Sequence, residues 1–341
     1  MNVVHVHRIG GIGGSERHLL TLLPALADRG VDVSFLGLDD PSRAPEPFYD
    51  ALEVPHTRVQ APRDVDPLLA VRVRRAVRRA DLVHTHLVHA DVYGAFGARR
   101  LVSTKHNDDP FRAGPFRLVE RALAWRAQRV IAITESLARF QVERVGLPRG
   151  KVEVIHYGLD DLPGAWGENP PDPVPAGVPV LLCVCRLEPQ KGVDVAIRAL
   201  ADVPDAWLVV LGEGPERAEL ERVASDRVYM PGRVPDVAAW LRRADVLVHP
   251  VRWEGFGLAV LEAMLAGLPV VASNVSSLPE LVGDAGVLVP PDDPTTLAAA
   301  VNRMLADPAG YGDRARERAR AEFSVARMAD RTMRVYERAL A

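Results

Sequence analysis

Short apolar runs and longer stretches of helical periodicity alternate along the whole chain. Residues 2–7 form an apolar-rich run that predicts a strand, and residues 31–36 form the next one. Between them, leucines recur at helical spacing and predict one buried helix face: Leu19, Leu22, Leu23 and Leu26. The order strand, helix, strand predicts a parallel βαβ unit with a glycine-containing turn at the carboxyl end of its first strand.

The alternation continues to the last residues, with one interruption. Further strands are predicted at residues 81–86, 101–104, 130–134, 151–155, 180–184, 207–214, 228–234, 245–248, 269–271 and 286–289. Residues 161–179 interrupt it with six prolines and three glycines and predict a linker. We therefore expect a first domain at 1–160, a second at 180–323, and an amphipathic tail at 324–341, since a chain of 341 residues can bury two cores.

Composition and charge narrow the possible functions. Hydrophobic residues make up 48% and charged residues 26%, which is typical of a globular protein, and the net charge of −3 gives no indication of nucleic-acid binding. Residues 1–160 carry 23 Lys and Arg against 19 Asp and Glu, and the remainder carries 19 against 26. No secretory leader or apolar run of about 18 residues is recognisable, so the expected location is the cytoplasm. Cys183 and Cys185 are expected in the core.

The stretch from 245 to 271 carries the strongest chemical pattern. An apolar strand leads into a glycine turn with Glu254, and the helix that follows carries Glu262. Gly255 and Gly257 allow close approach of the backbone to a ligand, and the free amides at a helix start favour a phosphate. Glu262 lies roughly 12 Å further along the axis at 1.5 Å per residue, a span that suits one ligand with two sugars and a phosphate bridge. The alternative is a structural strand–turn–helix unit with one exposed and one capping carboxylate.

Residues 254–271, EGFGLAVLEAMLAGLPVV, resemble the signature of family 4, the retaining glycosyltransferases with the GT-B fold. The resemblance implies an α/β fold of two facing Rossmann-like domains with parallel sheets and a deep interdomain cleft. It implies that the second domain binds most of the donor, that the first binds the acceptor, and that the tail 324–341 packs back on the first domain. It implies that the first glutamate contacts the sugar of a nucleotide-sugar donor and the second holds the ribose. The turn that would complete the donor site contains Gly255, Phe256, Gly257 and Leu258.

Two further segments of the second half resemble the same family. In CRLEPQKGVDVAIRAL, Arg186 ends a predicted strand and Lys191 precedes a helix, so both cations could converge on one anion. The alternative is two unrelated surface cations, but the family uses this segment to hold the donor diphosphate. The segment 228–234 resembles the loop that contacts the nucleobase through the backbone at Arg233 and Val234.

In the first half the resemblance rests on the turn after the first strand and on two strand ends. Gly13 and Gly14 belong to GGSER, which is similar to the family's loop near the donor phosphates; by itself it is also compatible with a flexible loop. His86 and His106 end strands where the family lines its acceptor site, and Asn107 follows. His84 and His86 share one strand face and, with His89 and Asp91, raise the question of a metal site, but we expect no metal.

One segment departs from the family pattern. Residues 156–160 read HYGLD, where family members commonly have Pro-Asn-Gly-Ile-Asp. His156 and Tyr157 replace the proline and the asparagine, so no contact of the asparagine is transferred to this chain.

A basic helix is predicted at 64–80. It carries five arginines, Arg72, Arg74, Arg75, Arg78 and Arg79. Such a run commonly forms a solvated face. The alternative is a peripheral contact of the Arg72–Arg79 helix with the inner face of a membrane or with an anionic acceptor.

The resemblance implies retaining transfer of a sugar from a nucleotide sugar, such as a UDP- or GDP-sugar, to an acceptor hydroxyl of a saccharide, a lipid-linked molecule or a small molecule. His106, Glu254, Arg186 and Lys191 are the candidate catalytic residues, and no cofactor is expected. A double displacement would need a nucleophilic carboxylate about 5 Å from its partner, and Asp108 and Asp109 were the nearest candidates to His106. We expect instead the same-face mechanism described for the family, in which the leaving phosphate assists the acceptor. A nucleotide-sugar epimerase and a non-catalytic nucleotide-sugar-binding protein are the alternatives.

Overall fold

The protein is described by a computed structural model that covers residues 1–40, 42, 45–61, 66–107, 117–161, 170, 173–308 and 310–341. The chain divides into two compact units, Met1–Gly158 with Ser324–Ala341 and Leu159–Phe323. It therefore passes between the units twice. The predicted linker 161–179 falls in the second unit, and its residues 162–169 and 171–172 lie outside the described part of the chain.

The first unit is built from alternating strands and helices around a parallel sheet. Its seven strands lie in the order β3-β2-β1-β4-β5-β6-β7, and every recorded pairing is parallel. The elements in chain order are β1 (Asn2–Ile9), α1 (Gly14–Ala27), β2 (Asp32–Asp39), α2 (Glu46–Asp50), β3 (His56–Gln60), α3 (Pro67–Val77), β4 (Leu82–His86), α4 (Leu87–Gly97), β5 (Leu101–Lys105), α5 (Arg117–Arg126), β6 (Arg129–Ala132), α6 (Glu135–Phe140) and β7 (Val152–Val154).

The central strands of this sheet are unusually polar for their burial. Both β4, with the sequence LVHTH, and β5, with the sequence LVSTK, are buried at every position. Interior strands of a parallel sheet are normally apolar, because helices cover both faces. Buried polar side chains need hydrogen-bond partners inside the protein, and these partners form much of the site described below.

The second unit repeats the same construction with six strands in the order β10-β9-β8-β11-β12-β13, again with parallel pairings. Its apolar core is formed largely by β8, β9, α7 and α12. The elements are β8 (Val180–Val184), α7 (Val193–Ala199), β9 (Trp207–Leu211), α8 (Arg217–Val223), β10 (Val228–Gly232), α9 (Val237–Arg243), β11 (Val246–His249), α10 (Leu258–Ala266), β12 (Val270–Ser273), α11 (Leu278–Val282), β13 (Val287–Val289), α12 (Pro294–Ala306) and α13 (Tyr311–Glu322).

The last helix, α14 (Val325–Leu340), belongs to the first unit. The Ser324 side chain caps its start by accepting a hydrogen bond from the Arg327 amide at 3.4 Å. One face is buried at Met328, Val335 and Tyr336, where it completes the core formed by α1 and the sheet.

The prediction of two parallel α/β halves is confirmed, and two details are corrected. Helix α3 spans Pro67–Val77 rather than 64–80, because the Asp66 side chain accepts a hydrogen bond from the Leu68 amide at 2.8 Å and fixes the start; residues 62–65 lie outside the described part. Strand β3 was not predicted, because HTRVQ is an edge strand that is mostly exposed and has no apolar run.

Candidate active site

Strand ends of the second unit carry the residues that the sequence assigned to the donor. Arg186 follows β8, Arg233 follows β10, and Glu254 follows β11. Parallel strands bring their carboxyl ends to one edge of the sheet, where α/β proteins bind ligands. The predicted donor residues that follow these strands therefore share one edge, Leu258 and Glu262 lie on α10, and Gly13 and Gly14 belong to the first unit.

The centre of this edge is a charged cluster of Lys191, Glu254 and His249. The Lys191 ammonium lies 2.7 Å from Glu254 Oε2, and His249 Nε2 lies 3.1 Å from the same oxygen. The side chains of Lys191 and Glu254 are only 11% and 12% exposed. Burial raises the pKa of the Glu254 carboxyl, but the hydrogen bond with His249 and the charge of Lys191 outweigh it, so the pKa falls to about 2. Glu254 is an anion that neutralises Lys191.

Backbone geometry brings these residues together. Lys191 ends a short 3₁₀ turn, Pro189–Lys191, and Gly192 follows with φ +63°. A Cβ at Gly192 would lie 2.0 Å from the carbonyl oxygen of Pro250, so only glycine allows the turn to pack against the end of β11. This close approach places Lys191 beside the Glu254 turn.

The Glu254 turn is held by its own hydrogen bonds and by a serine from outside the predicted motif. The Gly255 amide donates to Glu254 Oε1 at 3.0 Å. The Ser277 hydroxyl donates to the carbonyl oxygens of Phe256 and Glu254 at 3.0 and 3.3 Å. Gly257 starts α10 with φ +100°, so the first helix amides emerge directly beside Glu254.

Glu262 and Phe256 are more buried than a direct reading of the motif suggests. Glu262 is 5% exposed and Phe256 is 4% exposed. Helix α10 is apolar around most of its circumference, and its residues 260–265 are all buried. A buried carboxylate requires a polar partner, which fits a residue that holds ligand hydroxyls and equally fits a structural carboxylate. Leu258 is half-buried at the first position of the helix.

The two predicted diphosphate-binding cations differ in their surroundings. The Arg186 side chain is 66% exposed and bonds the Glu188 carboxylate, whereas Lys191 is nearly buried. Burial raises the pKa of the Cys185 thiol to about 12, and the charges of Lys191 and Arg186 both oppose that rise. Arg233 is exposed and Val234 half-buried.

In the first unit, Gly13 and Gly14 lie exposed at the start of α1. The Gly13 amide donates to Glu16 Oε2 at 3.0 Å, and Glu16 Oε1 lies 3.2 Å from His7 Nε2. Burial raises the pKa of Glu16, but the hydrogen bond with His7 and the lesser interactions outweigh it and lower the pKa overall. The glycine turn is thus connected through Glu16 to the buried strand β1.

His86 and His106 are directly bonded to each other. His86 ends β4 and His106 follows β5, and His86 Nδ1 lies 3.0 Å from His106 Nε2. The other nitrogen of His106, Nδ1, lies 2.5 Å from the Tyr157 hydroxyl. His106 is 8% exposed, so both ring nitrogens are engaged by the protein. A hydrogen bond from this ring to a substrate would have to replace one of them. Asn107 is half-buried directly after His106.

Burial keeps four histidines of the first unit uncharged. It lowers the pKa of His5 and of His18 to about 3, with neighbouring histidines adding to the shift. The pKa values of His84 and His86 lie well below the usual range for the same two reasons. All four imidazoles are neutral at physiological pH.

Among the residues that the structure describes, one group of histidines could hold a metal ion, although no metal is expected from the sequence. His5, His84 and His86 each offer a nitrogen, and these atoms lie within 4.8 Å of one another. Their ring nitrogens are already hydrogen-bonded, to one another or to other side chains. Asp91 bonds instead to Lys105 at 2.6 Å, and His89 is half-buried on α4.

Sequence reasoning missed members of the charged cluster in the second unit and of the hydrogen-bonded histidines in the first unit. His249 stands at the end of a predicted strand five residues before Glu254, and this position was an available signal. His5 and Tyr336 join His84 across 79 and 252 residues of sequence, so no local pattern could pair them. Asp108 and Asp109 lie outside the described residues.

Within the described part of the chain, each helix is too short or too polar to span a lipid bilayer.

Comparison with known proteins agrees with this geometry. A family model described as Glycosyltransferase Family 4 matches residues 12–161, and one described as Glycosyl transferases group 1 matches residues 178–307. The D-inositol 3-phosphate glycosyltransferase of Kineococcus radiotolerans is 30% identical over 97% of this chain and 92% of its own. A glycogen synthase of Mycobacterium tuberculosis is 31% identical over 95% of this chain and 91% of its own.

Solved structures share the fold. The crystal structure of Alr3699/HepE from Anabaena in complex with UDP and glucose superposes with a TM-score of 0.85 at 23% identity, covering 99% of both chains. Two parallel-sheet units, two family models that together span most of the chain, and a relative matched over nearly its full length lead to one assignment. The chain belongs to the GT-B glycosyltransferases.

Proposed function

We propose that this glycosyltransferase is a retaining enzyme of family 4 that transfers a sugar from a nucleotide-sugar donor to an acceptor hydroxyl. The observation that carries the proposal is the nearly buried Lys191–Glu254 pair at the start of α10. This arrangement brings together a cation, a carboxylate and the first amides of a helix. The cation and the amides suit the diphosphate of a nucleotide sugar, and the carboxylate suits the hydroxyls of its sugar.

In the donor-bound state the diphosphate replaces Glu254 as the partner of Lys191. Arg186, which is largely exposed, adds a second cation, and the amides at the start of α10 add hydrogen bonds. Glu254 is then released toward the sugar hydroxyls. Glu254 stays in the site, so the charge that the diphosphate brings is offset by Lys191, Arg186 and the helix amides together, and on this proposal no metal is needed for that purpose.

The remaining donor contacts follow the family pattern. Glu262 holds the ribose, the backbone at Arg233 and Val234 contacts the base, and Gly13 and Gly14 lie near the phosphates. The HepE structure holds UDP and glucose, and its fold matches this one, which supports a nucleoside diphosphate as the leaving group.

The reaction breaks the bond between the anomeric carbon and the diphosphate oxygen and forms a bond from that carbon to the acceptor oxygen on the same face. The acceptor proton passes to the departing phosphate, whose charge Lys191 and Arg186 stabilise. His86, His106 and Asn107 are assigned to the acceptor side. The relatives named above are a glycosyltransferase and a synthase, which favours transfer over epimerisation.

Two glutamate variants test the proposal. Glu262→Gln should weaken UDP, GDP or ADP and the matching nucleotide sugar alike, because it removes charge-assisted bonds to the ribose worth about 1.5–3 kcal/mol. Glu254→Gln should lower turnover, yet bind the diphosphate as tightly as the wild type or more tightly, because Lys191 loses its internal partner. Calorimetry with the three diphosphates and their sugars measures the affinities, and an activity assay measures the turnover.

Thermal unfolding of both variants serves as the control for folding. If both fold normally and retain wild-type donor affinity and turnover, the assignment of residues 254–262 to the donor is wrong.

A peripheral membrane contact through α3 is part of the proposal. Helix α3 and the two residues after it expose Arg72, Arg74, Arg75, Arg78 and Arg79. Two apolar side chains of the same helix are also exposed, Leu68 by 67% and Val71 by 48%. Exposed arginines beside exposed apolar groups suit an anionic lipid surface.

Liposome sedimentation tests the contact. The wild type should bind anionic vesicles more strongly than neutral ones, and the difference should fall in high salt. Replacing Arg72, Arg75 and Arg79 by Gln should abolish it. Replacing Arg198 and Arg222, exposed arginines of the second unit, should not. Equal, negligible binding to both vesicle types would leave α3 as a solvated face.

A further inference from the structure

A continuous row of hydrogen bonds runs through the interior of the first unit and ends at the acceptor-side histidines. It contains seven side chains that are nearly or fully buried. In order they are Thr104, His84, Tyr336, His5, His86, His106 and Tyr157. The six links measure 2.6, 2.6, 3.1, 3.0, 3.0 and 2.5 Å.

Each inner member of this row uses both of its polar positions. A neutral imidazole has one N–H donor and one acceptor nitrogen, and a tyrosine hydroxyl donates one proton and also accepts. Within the directly bonded imidazoles, the bond that enters one ring fixes the direction of the bond that leaves it, so the links from His5 through His86 and His106 to Tyr157 all point the same way. The whole row can point toward Tyr157 or toward Thr104, or Tyr336 can accept from both His84 and His5, in which case the bonds on its two sides point in opposite directions.

Because each link involves a particular ring nitrogen, the direction of the bonds fixes the tautomer of each histidine. When the bonds point toward Tyr157, each histidine donates through Nδ1: His84 to Tyr336, His5 to His86, His86 to His106, and His106 to Tyr157. When the bonds point toward Thr104, each histidine donates through Nε2. In every arrangement His5, His86 and His106 carry the proton on the same type of nitrogen, and His84 shares it unless Tyr336 accepts from both sides.

We propose that Tyr157 and His86 are positioning residues for His106, and that this row fixes its tautomer and ring orientation. Tyr157 is well placed to do so, because it is 3% exposed and its ring stacks on His18 with centroids 4.5 Å apart. It occupies the position where the family pattern has asparagine. The row also ties His106 to Tyr336, so the C-terminal helix takes part in setting the acceptor side.

For the reaction, the consequence is that His106 does not act as a general base. Both of its nitrogens are hydrogen-bonded within the protein, so the ring is held in one orientation and takes no proton from the acceptor. The departing phosphate takes the acceptor proton. This consequence rests on the proposed function. The structure of the row itself does not, and the two are tested separately.

The primary test is nuclear magnetic resonance of protein labelled with ¹⁵N-histidine, in the absence of any donor. The Nδ1 and Nε2 shifts of His5, His84, His86 and His106 should report four neutral rings, with one tautomer shared by His5, His86 and His106. Nδ1–H on one of these three rings and Nε2–H on another would overturn the proposal. Zinc that survives chelation, together with loss of these signals, would overturn it in favour of a metal site.

Two variants extend the test, with a matched control. Tyr157→Phe removes the link at His106 and should shift both His106 nitrogens. Tyr336→Phe breaks the row in the middle and should shift His5 and His84, with a smaller change at His106. Tyr93→Phe removes another buried hydroxyl of the same unit, which accepts from the Asp66 amide outside the row, and should leave all four rings unchanged.

Kinetics provide the functional readout once a donor is identified. Tyr157→Phe should lower kcat about tenfold, the size of one net hydrogen bond, with little change in the KM for the donor. Unchanged His106 shifts in a folded Tyr157→Phe protein would overturn the positioning role whatever the enzyme's substrate. Failure to bind any nucleotide sugar with the shared tautomer intact would instead count against the proposed function alone.

Discussion

The two units place very different chemistry at the same edge of similar sheets. In the first unit the edge is lined by neutral histidines and tyrosines that are buried and bonded to one another. In the second unit it carries an ion pair between Lys191 and Glu254, with Arg186 largely exposed nearby. Charges that remain accessible can exchange partners with a charged ligand. Neutral groups that satisfy one another fix geometry and carry no net charge to a substrate.

The largest expected effect is that lowering the pH destabilises the first unit more than the second. His5, His18, His84 and His86 have lowered pKa values in the folded protein, so below pH 6.5 the unfolded chain binds more protons and stability falls as the pH falls. The loss approaches about 1 kcal/mol per pH unit for a histidine that stays neutral in the folded protein. The lowered pKa of Glu254 stabilises the second unit above the unfolded value of 4.5, and this contribution is lost only as the pH falls through 4.5 toward 2.

Hydrogen-exchange protection at pH 7 and 5.5 measures this difference, because peptides can be assigned to each unit. The first unit should lose protection at pH 5.5 while the second retains it. His18→Phe should reduce the effect by about a quarter, since one of four groups is removed. His56→Phe, at an exposed position, should change nothing. Parallel loss in both units would contradict the contrast in charge.

The second prediction concerns the stability of the charged edge. Lys191→Ala removes the cation beside the nearly buried Glu254 carboxylate, which keeps its contacts with His249 and the Gly255 amide, and should lower the free energy of unfolding by about 1–3 kcal/mol. Arg186→Ala removes an exposed cation and should cost less than about 0.5 kcal/mol. Urea denaturation followed by tryptophan fluorescence gives both values. Equal costs would mean that the Lys191 pair is no more than a surface ion pair.

The smallest expected effect compares two glycines that occupy the same position at the starts of α1 and α10. Gly257 has φ +100°, and an added Cβ would lie 3.0 Å from Leu278 and 3.2 Å from Leu281, so Gly257→Ala should cost about 1–2 kcal/mol. Gly13 has φ −113°, an ordinary backbone conformation, and Gly13→Ala should cost less than about 1 kcal/mol. Chemical denaturation of the two variants measures the difference. A larger cost at Gly13 would place the more demanding turn in the first unit.

Much of the fold was predictable because its strands are apolar and its turns contain glycine. The run 180–184 and the turn 254–257 both follow from local sequence, and the structure places them as a strand and as the entry to α10. Strand β3 was missed because an exposed edge strand needs no apolar face. The helix at 67–77 was predicted too long because arginines continue past its end.

The clusters were less predictable than the motifs that contribute to them. Glu254, Lys191 and His106 were identified from the sequence, but their present partners were not. His249 reaches Glu254 across a turn, and His5 meets His86 because β1 and β4 are neighbours in the sheet. Strand order is a property of the whole fold, so side chains that meet through it leave no trace in local spacing.

The position of α14 has a consequence for synthesis on the ribosome. The core of the first unit needs Met328, Val335 and Tyr336, which emerge only after the whole of the second unit. The second unit, Leu159–Phe323, is continuous in sequence and is complete before them. Domains usually fold in the order in which they are made. Here the unit that starts first should finish folding after the second unit, because its polar strands and the row of histidines need α14 to complete the core.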